Sequence, residues 1–169
     1  MGKKKRKKRQ GPRQCDGCTA CCDGWVQINV KGYEAWPGHP CPYSTGQGCS
    51  DYENRPEVPC RQFICGWLLP DSPLPEWMKP NEAKVMVLFN KLNWQGLPVD
   101  VALPVGKRIP PRALNWLKAF AEQHGRPLIW AECIEEDGAL QREQLLYAWG
   151  PPAFQAQVQQ WQAEGRKLW

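Results

Sequence analysis

Apolar and polar residues alternate along residues 25–30, where Val26, Ile28 and Val30 are separated by Gln27 and Asn29. This period of two predicts a β-strand. Strands are also predicted at 85–92, at 96–104 between prolines, and at 127–133. The spacing changes at 111–124, where Leu114, Leu117, Phe120 and Ala121 recur on one side of a predicted helix. Proline lies in the first turn of that helix and Gly125 follows its end, a start and a stop that suit a helix. Two further helices are predicted, at 140–149 and at 152–169, and the acidic run Glu135, Glu136, Asp137 before Gly138 reads as a solvated turn. Residues 14–67 contain little continuous apolar sequence and read as turns and short helices. The expected fold class is α+β, with a basic tail (1–13), a small cysteine-rich module (14–67) and an α+β lobe (68–169) packed on it.

Composition adjusts this picture in two ways. The chain has 169 residues, is 42% hydrophobic and holds ten tryptophans, enough for a core; their scatter through predicted core elements favours packing over base stacking. The net charge of +5 conceals an asymmetry: eight of the 22 Lys and Arg fall within residues 1–13, and the remainder is mildly acidic. Lys3, Lys4, Lys5, Arg6, Lys7, Lys8 and Arg9 form a continuous cationic block that repels itself and buries nothing. Such an arm attracts nucleic acid or another polyanion without reading sequence, or serves only to keep the chain soluble. No apolar run approaches the roughly 20 residues of a membrane span. The basic start is not followed by the apolar stretch of a signal peptide, so the expected location is a reducing cytoplasm, where stable disulfides are rare.

Chemistry concentrates in the cysteines. Eight of nine lie between residues 15 and 65, in two quartets. The first is Cys15-x2-Cys18-x2-Cys21-Cys22, and the second is Cys41, Cys49, Cys60 and Cys65. Thiolates are soft donors that select zinc and iron–sulfur centres, so all eight are candidate metal ligands. If residues 15–22 form a helical turn, Cys15, Cys18 and Cys22 share one face, with Cys21 beside them. If the segment is extended or looped, Cys21 and Cys22 point apart and serve different metals completed by the second quartet. The spacing matches neither a zinc ribbon nor the ferredoxin run, leaving zinc or an iron–sulfur centre equally open. Asp16 and Asp23 read as solvent-facing turn residues, with outer-shell partners of the metal site as the alternative. Cys133 lies in an apolar run and reads as a small core residue.

Prolines brace the second quartet, so little entropy remains to be lost when these loops close on an ion. Within Cys49-x2-Tyr52-x2-Arg55-Pro56-x3-Cys60-Arg61-x-Phe63-x-Cys65, Tyr52 and Phe63 are expected to wall the site from water. Arg55 and Arg61 are expected to bind backbone carbonyls or offset thiolate charge. His39, just before Pro40 and Cys41, is either a ligand or pH-sensitive partner, or an exposed turn residue. His124 reads as a favourable charge at a helix C-terminus.

The two motifs together resemble the YkgJ-like cysteine-cluster family, whose signature is CxxCxxCC followed by a downstream C…CxxYxxRP…CRxFxC. The resemblance covers about residues 15–67, and all eight cysteines match in order, as do Tyr52, Arg55, Pro56 and Phe63. Asp51 departs from it, standing where the family pattern has an apolar residue. The resemblance implies chelation of zinc or iron. Some larger relatives methylate lysines of flagellin, and no motif here marks that activity.

No phosphate-binding Walker loop, dinucleotide fingerprint or H-E-x-x-H appears in the chain. Two readings follow. One is a cytoplasmic metal-binding protein holding zinc or an iron–sulfur or iron centre, with a role in metal handling or redox. The other is a zinc-structured interaction module that binds RNA or DNA through its basic N-terminal arm.

Overall fold

The computed structural model describes residues 12–169. The cationic block at 3–9 therefore lies outside the described residues. The fold is α+β. Strands β1 (Ile28–Val30) and β2 (Tyr33–Ala35) form a small antiparallel hairpin. A short helical turn at Glu57–Arg61, a 3-10 turn at Glu76–Met78 and the one-turn helix α1 (Pro80–Ala83) lead into the larger half. There, β3 (Val85–Trp94), β4 (Leu97–Pro104), α2 (Pro111–His124), β5 (Leu128–Glu136), β6 (Ala139–Trp149) and α3 (Pro152–Ala163) follow in order.

The four longer strands form one sheet in the order β3-β4-β5-β6. The outer pairs are antiparallel hairpins and the central pair β4–β5 is parallel. A parallel pair needs a crossover, and α2 supplies it. Both faces of the sheet are covered, which is why Val85, Met86, Val87 and Leu88 read as an unbroken apolar run. Alternate residues sort between the faces. Val85, Val87, Ala102, Leu128 and Trp130 pack against Ala113, Leu117 and Ala121 of α2, together with Trp67, Leu74 and Met78. Met86, Leu88, Val99, Val101, Leu103, Ile129 and Ala131 pack against Phe154 and Val158 of α3, and against Ala20 and Val26 of the cysteine-rich segment. No helix of the described residues is long and apolar enough to cross a membrane.

Several expectations need correction. Residues 140–149 are not a helix but the edge strand β6. Asp137 (φ 51°) and Gly138 (φ 76°) form a two-residue turn with both φ angles positive, the geometry that joins strands into a hairpin. Glu135 and Glu136 therefore finish β5, and Leu146 and Ala148, two residues apart, pack onto the α3 side of the sheet. The last helix ends at Ala163, short of Trp169. Gly165 (φ 65°) reverses the chain while Arg166 N–H bonds Trp161 O at 2.9 Å, closing the helix end. Leu168 and Trp169 then fold back onto the same apolar face. At 25–30 only Ile28–Val30 is strand; its partner β2 follows a Lys31–Gly32 turn of the same positive-φ kind. Within α2 the buried seam is Ala113, Leu117 and Ala121, with Leu114 and Phe120 at its margin.

One ion pair locks the sheet centre. Asp100 is 4% exposed, and Arg126 donates to its two carboxylate oxygens at 2.7 and 2.6 Å. Asp100 also accepts the N–H of Asn90 at 2.9 Å, fixing the irregularity in β3, where Asn90 has φ 53°. Gly125 at the end of α2 aims Arg126 into this pair. Arg126→Ala leaves the carboxylate buried without its partner and is expected to cost about 3 kcal/mol. Arg126→Lys should recover only part of this, because an ammonium cannot make the two-pronged contact. Urea unfolding of the three proteins measures both effects.

Candidate metal centre

Residues 15–24 are a succession of turns. Cys18 N–H bonds Cys15 O at 2.8 Å around Gly17 (φ 72°), which breaks any helix there. One helical turn follows, closed by Asp23 N–H to Thr19 O at 2.8 Å, and it carries Cys21 and Cys22. Neither sequence-based alternative holds in full: the two cysteines sit in a helical turn, but Cys15 is not part of it. Gly24 ends the turn with φ 85° against Trp36, where an added Cβ would lie 2.4 Å from the Trp36 carbonyl oxygen.

The second quartet is fastened to this turn. Cys41 N–H bonds Cys22 O at 2.9 Å, and Ser44 N–H bonds Cys41 O at 2.9 Å. A bridge between Ser44 and Cys49 returns the chain beside Cys41. The Asp23 carboxylate accepts from Thr19 Oγ1 at 2.6 Å and from Ser44 Oγ at 2.8 Å. Asp23 is thus a clamp between the quartets and not the solvent-facing residue its sequence context suggests. Asp16 is exposed, and its carbonyl accepts from Lys79 Nζ at 2.6 Å. Cys60 lies in the Glu57–Arg61 turn. Cys65 is held where Gly66 N–H bonds Val87 O at 2.6 Å along the open edge of β3.

These constraints bring Cys15, Cys18, Cys21, Cys22, Cys41, Cys49, Cys60 and Cys65 to the wall of one cavity of about 290 Å³. All eight are free thiols. Among the described residues, no group of three or more His, Cys, Asp or Glu side chains stands ready to hold a metal ion. The thiols share a cavity without forming an assembled ligand shell. The donor chemistry nevertheless suits a soft metal: sulfur is the dominant donor, and cations lie beside it.

Burial raises the thiols of Cys15, Cys60 and Cys65 above the ordinary cysteine value. Neighbouring sulfurs add to this at Cys15 and Cys60, and Lys79 and Arg55 respectively oppose it. At Cys65 the backbone N–H groups of Leu68 and Trp67 oppose it. The vicinal pair behaves differently. A hydrogen bond between the two sulfurs keeps the proton on Cys21 and pulls Cys22 down to about 7, with Arg55 assisting. Cys22 is thus an acidic thiol at the meeting point of the quartets.

The other residues singled out by sequence divide. Phe63 lines the cavity and packs on the sheet side. Tyr52 reaches the rim but is 57% exposed, so it does not wall the site from water. Its ring instead carries the Arg55 guanidinium at 3.4 Å, while Arg55 Nε donates to Tyr52 O at 2.8 Å. Arg61 donates to Arg55 O at 3.0 Å and to Glu53 O at 2.7 Å, so it binds carbonyls while Arg55 faces the sulfurs. His39 does not line the cavity; it is exposed and stacked between Tyr33 and Trp36. His124 ends α2 and packs on the Phe120 ring. Cys133 lies on β5, half-buried, with its S–H toward Gly106 O.

Sequence reasoning missed several contributors. Met86 of β3, Pro80 of α1 and Leu68 complete the cavity wall, and they follow the last cysteine motif with no spacing to announce them. Lys79 also escaped notice. Arg13, counted with the basic tail, is anchored: it donates to Trp67 O at 2.8 Å and Leu74 O at 2.6 Å, and pairs with Glu76 at 2.8 Å. No family model, curated protein or solved structure matches this chain.

Two outcomes follow from this geometry. In the reduced, metal-free chain near pH 7, iodoacetamide should modify Cys22 well before Cys21, because only the former is substantially thiolate; peptide mapping of a time course reads the order. Gly66→Ala would place a Cβ 2.7 Å from Val87 O and 2.9 Å from the Phe89 ring. It is expected to cost about 1–3 kcal/mol and to raise the alkylation rate of Cys65, seen in the same assay.

Proposed function

We propose that this chain is a metal-binding protein that chelates zinc, or an iron–sulfur or iron centre, through its eight clustered cysteines, in metal handling or redox. The observation that supports this most is convergence. Eight cysteines spread over 51 positions line one cavity, while the ninth, outside both motifs, does not. A set of small buried hydrophobes would not require this sorting. The resemblance of the two motifs to the CxxCxxCC family points the same way. Cys15, Cys18, Cys21, Cys22, Cys41, Cys49, Cys60 and Cys65 would be the ligands, and the ion would supply the cross-links that this turn-rich segment lacks. Arg55 and Lys79 would offset part of the thiolate charge.

Binding must expel protons from thiols whose burial disfavours ionisation, so affinity should fall as pH falls. Protein purified without oxygen and analysed for metals should contain zinc and be colourless, or contain iron and be brown. A chain that takes up neither, with all eight thiols open to alkylation, would refute the reading. Metal removal should loosen the module unevenly. Residues 41–60 rest on the small cluster of Val30, Ala35 and Cys41, whereas Ala20 and Val26 are rooted in the sheet. Limited proteolysis after chelation should therefore cut within 41–60 first and spare α2 and α3.

A further inference from the structure

The eight sulfurs are not equivalent in their surroundings. Cys18, Cys21 and Cys65 pack against the sheet cluster built on Met86, Val101 and Leu103. Cys41 and Cys60 belong to the separate cluster of Val30, Ala35 and Tyr43 on the β1–β2 hairpin. Backbone connections extend the second group. Cys22 O accepts from Cys41 N–H at 2.9 Å, and the Ser44–Cys49 bridge brings Cys49 back to the same loop. Electrostatic proximity follows the same line for Cys15, Cys60 and Cys65, while the vicinal pair Cys21 and Cys22, whose sulfurs act most strongly on each other, straddles it. Cys15 is influenced by Cys65 and Cys18 more than by Cys22, and Cys65 by Cys18. Cys60 is influenced by Cys22, Cys41 and Cys49. Each group has its own cation, Lys79 beside Cys15 and Arg55 beside Cys22 and Cys60.

We propose that the cavity forms two four-cysteine metal sites with interleaved ligands: Cys15, Cys18, Cys21 and Cys65 on the sheet side, and Cys22, Cys41, Cys49 and Cys60 on the hairpin side. The division does not follow the order of the chain. Each site takes ligands from both quartets, and the vicinal pair is split between them. The sulfurs of Cys21 and Cys22 lie within hydrogen-bond reach of each other, so two ions that each take one of them would be close neighbours. The pair thereby fixes the two sites to one stretch of backbone. This inference rests on the cavity being a metal site, and the test separates the two ideas.

The test is anaerobic loading of the full-length, reduced chain with zinc(II), followed by counting of bound zinc per chain. The unmodified protein should saturate at two zinc ions. Cys18→Ala/Cys65→Ala should retain one and Cys18→Ala/Cys22→Ala none. If each quartet instead held its own ion, these results would be reversed, with Cys18→Ala/Cys22→Ala retaining one and Cys18→Ala/Cys65→Ala none. A second measurement needs no variant. Unmodified protein given one equivalent of zinc is alkylated with iodoacetamide, and the protected thiols are located by peptide mass, with Cys133 as the unprotected reference. Protection of Cys15, Cys18, Cys21 and Cys65 together, or of Cys22, Cys41, Cys49 and Cys60 together, supports the interleaved division. Joint protection of Cys15, Cys18, Cys21 and Cys22 overturns it. Saturation of the unmodified chain at one zinc overturns the two-site division alone, and failure to bind any overturns the metal reading with it.

Discussion

The contact of Gly66 with the edge of β3 anchors the cysteine-rich segment to the sheet. Its N–H bonds Val87 O at 2.6 Å, and the space beside it is already filled by that carbonyl and the Phe89 ring. Only a residue without a Cβ lets the chain pass this close. The contact serves both sides. It gives the open strand edge a partner, which an unpaired edge otherwise lacks. It also sets Cys65 at the seam between the two apolar clusters, against which it packs on both sides. From that seam the cysteine-rich segment can reach the face of the sheet that α3 leaves open. Arg13, Lys79 and Asn81 add further fastenings through backbone carbonyls.

This dependence explains how a segment with so little apolar sequence adopts a defined path. Ala20 and Val26 contribute to the sheet cluster, so the first quartet borrows its core from the larger half. The second quartet has a smaller cluster of its own and leans on polar ties, of which the Asp23 carboxylate with two hydroxyl donors is the central one. Removing a half-buried acceptor that holds two donors leaves both without their partner, so such a clamp matters beyond the strength of either bond.

The parts of the fold legible in the sequence were those whose hydrophobic period agreed with their turn residues. β3, β4, β5 and α2 met that condition. β6 did not: Leu, Gln, Arg, Glu and Ala favour a helix by intrinsic propensity, and tertiary pairing with β5 overrode it. The Asp137–Gly138 pair was the signal that could have decided the matter. For the site, the cysteines were legible because thiol spacing is distinctive. Gly66, Asp23, Ser44 and Lys79 were not, since each acts through a contact between chain segments that no local pattern encodes. Tyr52 misled because an aromatic beside cysteines suggests a wall, whereas its ring here supports an arginine.

The arginines of the second motif form a relay of position rather than a pair of equivalent charges. Arg61 spends its donors on the carbonyls of Arg55 and Glu53, which fixes the backbone at Arg55. Arg55 then lies over the Tyr52 ring, with its Nε committed to the Tyr52 carbonyl. The remaining guanidinium charge is held where it favours the ionised forms of Cys22 and Cys60. A lysine in its place would supply charge but neither the planar stack nor the fixed fork. On the sheet side, Lys79 and the amides of Trp67 and Leu68 act on Cys15 and Cys65 in the same sense. Four thiolates around a divalent ion leave a net charge of about −2, so a metal reading requires compensation of this kind near each group of sulfurs. That requirement gives the arginines inside the cysteine frame a physical reason that surface solubility alone would not.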